Sequence, residues 1–118
     1  MEDIDKVAIY RLHASFCKTL ADANRLLIIN ELANGELTVS ELTRRLALTQ
    51  SNVSKHLGMM RENGMVDTRR EGANVYYRLS DSRIFEAIRL LKEVQADRIE
   101  KQSILTQSHH GLPSMGIS

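Results

Sequence analysis

Apolar residues return at three- and four-residue steps along the first third of the chain. Ile9, Leu12, Phe16 and Leu20 keep that spacing and predict an amphipathic helix over about residues 4–20. Asp22 then stands just before "ANRLLIINELANG", where Leu26, Leu27, Ile29 and Leu32 supply an apolar face and Gly35 a stop, so a second helix is expected. Thr38 and Glu41, three residues apart, form a capping-box pattern that opens a short third helix in "VSELTRRLAL". The "LALT" that follows leaves room only for a turn, and Thr49 can cap the next element.

That element, a fourth helix over about Gln50–Asn63, turns Val53, Leu57 and Met60 inward at steps of four and three, and Gly64 ends it. Ser51, Asn52, Ser54 and Lys55 are left facing outward. The period then changes. "MVDTRR" and "VYYRLS" each read as a strand, and the "EGAN" between them carries the Gly and Asn that a tight hairpin uses. Ser80 is placed to cap a last helix whose Ile84, Ile88, Leu91 and Val94 form one stripe, running to about residue 105. Residues 106–118 hold the only proline and little to bury, and are expected to form a flexible tail after a single domain over 1–105. The predicted fold is mainly α with a β-hairpin. Two helices joined by a short turn and followed by a basic hairpin describe a winged helix-turn-helix.

Composition narrows the class without naming a partner. A chain of 118 residues, 42% apolar and 26% charged, suits one soluble domain with one core. No apolar run approaches the roughly 18 residues that span a bilayer, and the acidic start is unlike a secretory signal, so a cytoplasmic protein without membrane association is expected. The single cysteine, Cys17, excludes an internal disulfide framework. A net charge of +1 favours nothing by itself, but residues 42–78 hold seven Lys/Arg against three Asp/Glu, a local excess where phosphates would be met.

That excess gives the polar face of the fourth helix a purpose. A helix entering a major groove about 12 Å wide meets donors and acceptors on base edges and phosphates on both rims. Short hydrogen-bonding side chains near its N-terminus bring the backbone close. Thr49, Gln50, Ser51, Asn52, Ser54 and Lys55 are therefore the candidate contacts with double-stranded DNA: Gln50 has the amide that pairs with adenine, Ser51 and Ser54 can bond bases or phosphate, and Lys55 supplies charge. His56 either reaches a phosphate or packs under the wing. Arg69, Arg70 and Asn74 on the hairpin would reach the neighbouring minor groove or backbone, with an Arg70–Glu71 surface pair as the plainer alternative. A capped, solvent-facing helix start would show the same "TQSNVS", and a winged helix can also serve as a protein-docking module without specific DNA binding. No paired carboxylates, Ser-His-Asp order or Gly-rich phosphate loop suggests an enzyme, and no cofactor is implied.

"LADANRLLIINEL", "ELTVSELTRRLALTQSNVSKHLGMMRENGMV" and "RREGANVYYRLSD" together resemble, in order and spacing, the ArsR/SmtB family of winged-helix repressors over about residues 14–95. The resemblance implies a homodimer built from the first and last helices, an inverted-repeat operator in double-stranded DNA, and release by an inducer. The arsenic-type site of that family needs Cys-x-Cys at the start of the third helix, where this chain has Thr38 and Ser40. The zinc-type site on the last helices keeps Asp81 and Asp97 but meets Arg83 and Val94 where histidines belong, and an Arg cannot ligate a cation. His13 and Cys17, four apart, are the remaining sensor candidates. They could join His109 and His110 around Zn(II), Ni(II) or Cu(I), or Cys17 could form an intersubunit bridge or a thiol adduct, or be a small buried hydrophobe. A small-molecule inducer stays open beside these.

Overall fold

The computed structural model describes residues 5–110, with side chains over 5–102. Its elements run α1 (Lys6–Leu20), α2 (Ala23–Leu32), β1 (Leu37–Thr38), α3 (Val39–Leu46), α4 (Gln50–Glu62), β2 (Val66–Glu71), β3 (Asn74–Leu79) and α5 (Arg83–His110). The chain divides into two compact units between Ile84 and Phe85, so everything from α1 to β3 belongs to the first unit and nearly all of α5 to the second.

Each helix start in the first unit is set by a short polar side chain that takes up backbone N–H groups otherwise left without acceptors. Asp22, in extended backbone, accepts from Asn24 N at 2.8 Å and Arg25 N at 3.2 Å. Thr38 and Glu41 close the full box, with Glu41 N donating to Thr38 Oγ1 at 3.2 Å and Thr38 N donating to Glu41 Oε1 at 2.9 Å. Thr49 accepts from Asn52 N at 3.1 Å. Between α3 and α4 the chain reverses at Ala47, whose φ of +54° lies in the left-handed region that costs an L-residue roughly 1–2 kcal/mol. That turn lets α4 cross α3 directly.

The core beneath is aliphatic. Ile28, Ile29 and Leu32 of α2, Leu42 of α3, and Val53, Leu57 and Met60 of α4 are buried together with Leu37, Met65 and Val66. Burial of this kind contributes roughly 1.5–3 kcal/mol per side chain and fixes α4 by one face. The expected α2 face is corrected here: Leu26 and Leu27 are 36% and 46% exposed, and Ile28 takes the inward place, because the burying stripe follows Ile28, Ile29 and Leu32. The hairpin forms with Val66 opposite Leu79 and Glu71 opposite Asn74, turning at Gly72 with φ +62°. A strand not foreseen in the sequence, β1, adds to it through Leu37 opposite Tyr77 and Thr38 opposite Tyr76, giving the order β1-β3-β2.

Two helices keep much of their apolar stripe uncovered. On α1, Ile9 is 43% and Leu12 72% exposed, and on α5, Leu91 and Val94 are 63% and 65% exposed. Ser80 does not cap α5. Its hydroxyl donates to the Gly64 carbonyl at 2.6 Å, and Asp81 receives the Arg83 N–H at 2.8 Å instead. α5 continues as helix to His110, past the expected end near 105, while residues 111–118 lie outside the described residues.

Candidate nucleic-acid interface

The outward face of α4 is built by what its inward face must do. Val53, His56, Leu57 and Met60 are buried, which at 3.6 residues per turn leaves Gln50, Ser51, Ser54 and Lys55 on the exposed side with Thr49 at their N-terminal edge. The Thr49 and Ser51 hydroxyls lie 3.5 Å apart. Among the described residues no ion pair engages Lys55. Asn52 sits at the border: it is half-buried, and its Oδ1 is withdrawn from solvent with no hydrogen-bond partner. The Asn52 carbonyl is thus turned from the exposed face, unlike the outward placement expected of it.

His56 takes neither of its expected positions. It is 7% exposed, and its Nδ1 lies 3.1 Å from a guanidinium nitrogen of Arg25, with Nε2 3.9 Å from Asp22 Oδ1. A guanidinium only donates, so Nδ1 is the acceptor. His56 therefore packs under the start of α2 rather than under the wing, and its ring is not available to an external phosphate. Arg25 also donates through Nε to the Thr19 carbonyl at the end of α1 and contacts Met59 Sδ at 3.5 Å. Burial pushes the Asp22 carboxyl up, but the N–H groups of Arg25 and Asn24, helped by the charge of Arg25, more than offset it and hold the group below its ordinary value.

On the wing, neighbouring strand residues face opposite ways. Arg69 and Glu71 share one face with Tyr76 and Asn74, while Arg70 lies on the other with Val75. Arg69 is tied down: Nε donates to Glu36 at 3.0 Å, a terminal nitrogen donates to Glu36 as well, the other donates to Glu71 at 2.7 Å, and the group lies 4.7 Å above the centre of the Tyr76 ring. The hydrogen bond to Arg69 keeps the Glu36 carboxyl below its usual range, and the same bonds raise Arg69. This corrects the expectation of a free Arg69, and the Arg70–Glu71 alternative gives way to an Arg69–Glu71 pair. Arg70 is exposed and joined to no ion pair among the described residues, and Asn74 is exposed at the tip. Asn74 also borders a groove of about 300 Å³ shared with Thr38, Val39 and Ser40 at the start of α3.

The sensor candidates separate. Cys17 is exposed, not a buried hydrophobe, and its Sγ lies 3.6 Å from His13 Nε2 one helical turn away. Thr38 spends its hydroxyl on the α3 cap. Asp81 is held by two Arg83 nitrogens, at 3.1 and 2.7 Å, and by the Arg83 N–H, which lower its carboxyl to about 2. No group of three or more His, Cys, Asp and Glu suited to a metal occurs among the described residues, and the side chains of His109 and His110 lie outside them. Arg25 and Glu36 were passed over by sequence reasoning. Nothing in their local spacing marks either one, since their partners His56 and Arg69 lie 31 and 33 residues away.

The family profile for bacterial regulatory proteins of the arsR family matches residues 22–68, from the α2 cap into β2. A biofilm growth-associated repressor of Agrobacterium fabrum is 44% identical over 78 residues, 64% of this chain and 67% of that protein. The transcriptional activator HlyU of Vibrio cholerae is 43% identical over 74 residues, 63% of this chain and 68% of that one. Among solved structures, the homodimeric winged helix-turn-helix DNA-binding domain of a possible ArsR-family transcriptional regulator from Mycobacterium bovis superposes with a TM-score of 0.72 at 26% identity, covering 83% of this chain and 95% of that one.

Proposed function

Because this chain belongs to the arsR family of bacterial regulatory proteins, we propose that it works as a homodimeric, DNA-binding transcriptional repressor that lays α4 in the major groove of each half of an inverted-repeat operator. The observation that carries this reading is the exposed row Gln50, Ser51, Ser54 and Lys55 at the N-terminal end of α4, directly behind α3 and its turn. In that docking Gln50 reads a base edge, Ser51, Ser54 and Thr49 bond bases or phosphate, and Lys55 neutralises a phosphate. Arg70 and Asn74 extend the contact from the wing tip.

Self-association is supported by the uncovered stripes on α1 and α5, where Leu12, Leu91 and Val94 are each more than half exposed. Two recognition helices about 34 Å apart meet successive major grooves on one side of the duplex. A signal that changes that separation lowers affinity through coupling of about 1–3 kcal/mol.

Fluorescence anisotropy tests this with a duplex from the region upstream of the protein's own coding sequence. The chain is titrated reduced, oxidised, and with Zn(II), Ni(II) or Cu(I). Tight binding with a steep salt dependence is the expected result. Release only by oxidant or metal would identify the class of signal, and absence of binding would favour a protein-docking module in place of a DNA reader.

A further inference from the structure

Arg69, Tyr76 and Thr38 form one cross-strand row across β2, β3 and β1. Glu36, two residues before Thr38, extends the row, and Arg69 reaches over the Tyr76 ring to meet it. All three guanidinium nitrogens donate to carboxylates, two sides to Glu36 and one to Glu71. The far end of this bridge is the segment that becomes the Thr38 cap of α3, the first helix of the helix-turn-helix. A two-stranded hairpin is marginal by itself; here its base is held by Val66 in the core, and along its edge it is joined by a strand of only two residues and by this bridge.

We propose that Arg69 and Glu36 are positioning residues that lock the wing in its DNA-reading pose, and that Arg69 itself touches no DNA. This rests on the DNA-binding reading above. For Arg69 to bind a phosphate it would have to surrender its charge-assisted bonds and leave Glu36 and Glu71 facing the polyanion uncompensated. Arg70, on the opposite face and joined to no ion pair among the described residues, carries the wing's charge to the duplex instead.

The two roles for Arg69 predict opposite signs for one substitution. If Arg69 were a contact, Glu36→Ala would free it and remove a negative charge, so binding would tighten. If the pair positions the wing, Glu36→Ala weakens binding about 3- to 10-fold and flattens the salt slope by up to about 1.8 units, because a dimer loses two Arg70–phosphate contacts. Arg70→Ala then adds little further loss in the Glu36→Ala background, and Glu36→Asp, which keeps the carboxylate, recovers most of the affinity. Arg69→Ala weakens binding under either role, so the sign of the Glu36→Ala effect is what separates them. Thermal unfolding of each variant is followed in parallel, since the Arg69 and Glu36 side chains are only 40% and 32% exposed and a loss of folded protein has to be told apart from a displaced wing.

Binding by Glu36→Ala as tight as or tighter than the parent overturns the positioning role while leaving the DNA reading intact. A parent chain that binds no duplex overturns both.

Discussion

Lys55 is the α4 side chain whose loss gives the most quantitative consequence. It is exposed and unengaged in ion pairs among the described residues, and its neighbours His56 and Leu57 are buried, so Lys55→Ala removes a charge without disturbing the inner face. Alanine is the better helix former, so α4 should not fray. In a homodimer each substitution acts twice, and two lost phosphate contacts at about 0.9 units each flatten the slope of log K against log salt by about 1.8. Across a fourfold change from about 50 to 200 mM salt that is roughly a 12-fold smaller loss of affinity than the parent shows. Anisotropy titrations at four or five salt concentrations measure this directly. The weakening should be similar for operator and for unrelated duplex, because a phosphate contact carries no sequence information. An unchanged slope would show that Lys55 does not meet the backbone, and the docking of α4 would have to be redrawn.

Two further outcomes concern the scaffold. Leu57→Ala opens a cavity at a site with no solvent exposure, and should lower unfolding stability by about 2–5 kcal/mol in urea denaturation, with DNA affinity falling only as far as folded protein is lost. For Asp22, whose carboxyl is held below the ordinary 3.8, the stabilisation is fully present above about pH 4 and drains away as pH falls through the folded value. Asp22→Asn, which can still cap α2, should therefore be less stable than the parent at pH 7, with the difference shrinking below pH 4; a gap that stays constant down to pH 3 would mean the charge does nothing there.

Periodicity made the reading helix legible because one face of α4 is buried and nothing competes with it. The hairpin was legible for a related reason, since its turn needs the positive φ that Gly72 supplies. His56 could have been read better: it lies three residues after Val53 and four before Met60, which places it on the inner face by spacing alone. The outward placement of "RR" failed on a different point, as alternate strand residues face opposite ways and only one arginine could share a face with Tyr76. β1 was out of reach, because two residues hold no period, and so were the Arg25–His56 and Arg69–Glu36 contacts, which join distant parts of the chain. The stripe on α1 was visible in the sequence, but periodicity says only that a face is apolar and not what covers it.

Arg25 joins the end of α1, the start of α2 and the inner face of α4 through one rigid plane. Aliphatic packing resists displacement through close contact, and a planar donor held at several points adds a directional restraint. Gln50 lies six residues from His56, about 9 Å along the helix axis, so a 5° tilt about that anchorage moves it by roughly 0.8 Å. Hydrogen bonds to a base edge tolerate a few tenths of an ångström. The Arg25 anchor therefore acts as the fulcrum of a short lever, and together with the buried face of Val53, Leu57 and Met60 it limits how far the N-terminal end of α4 can swing.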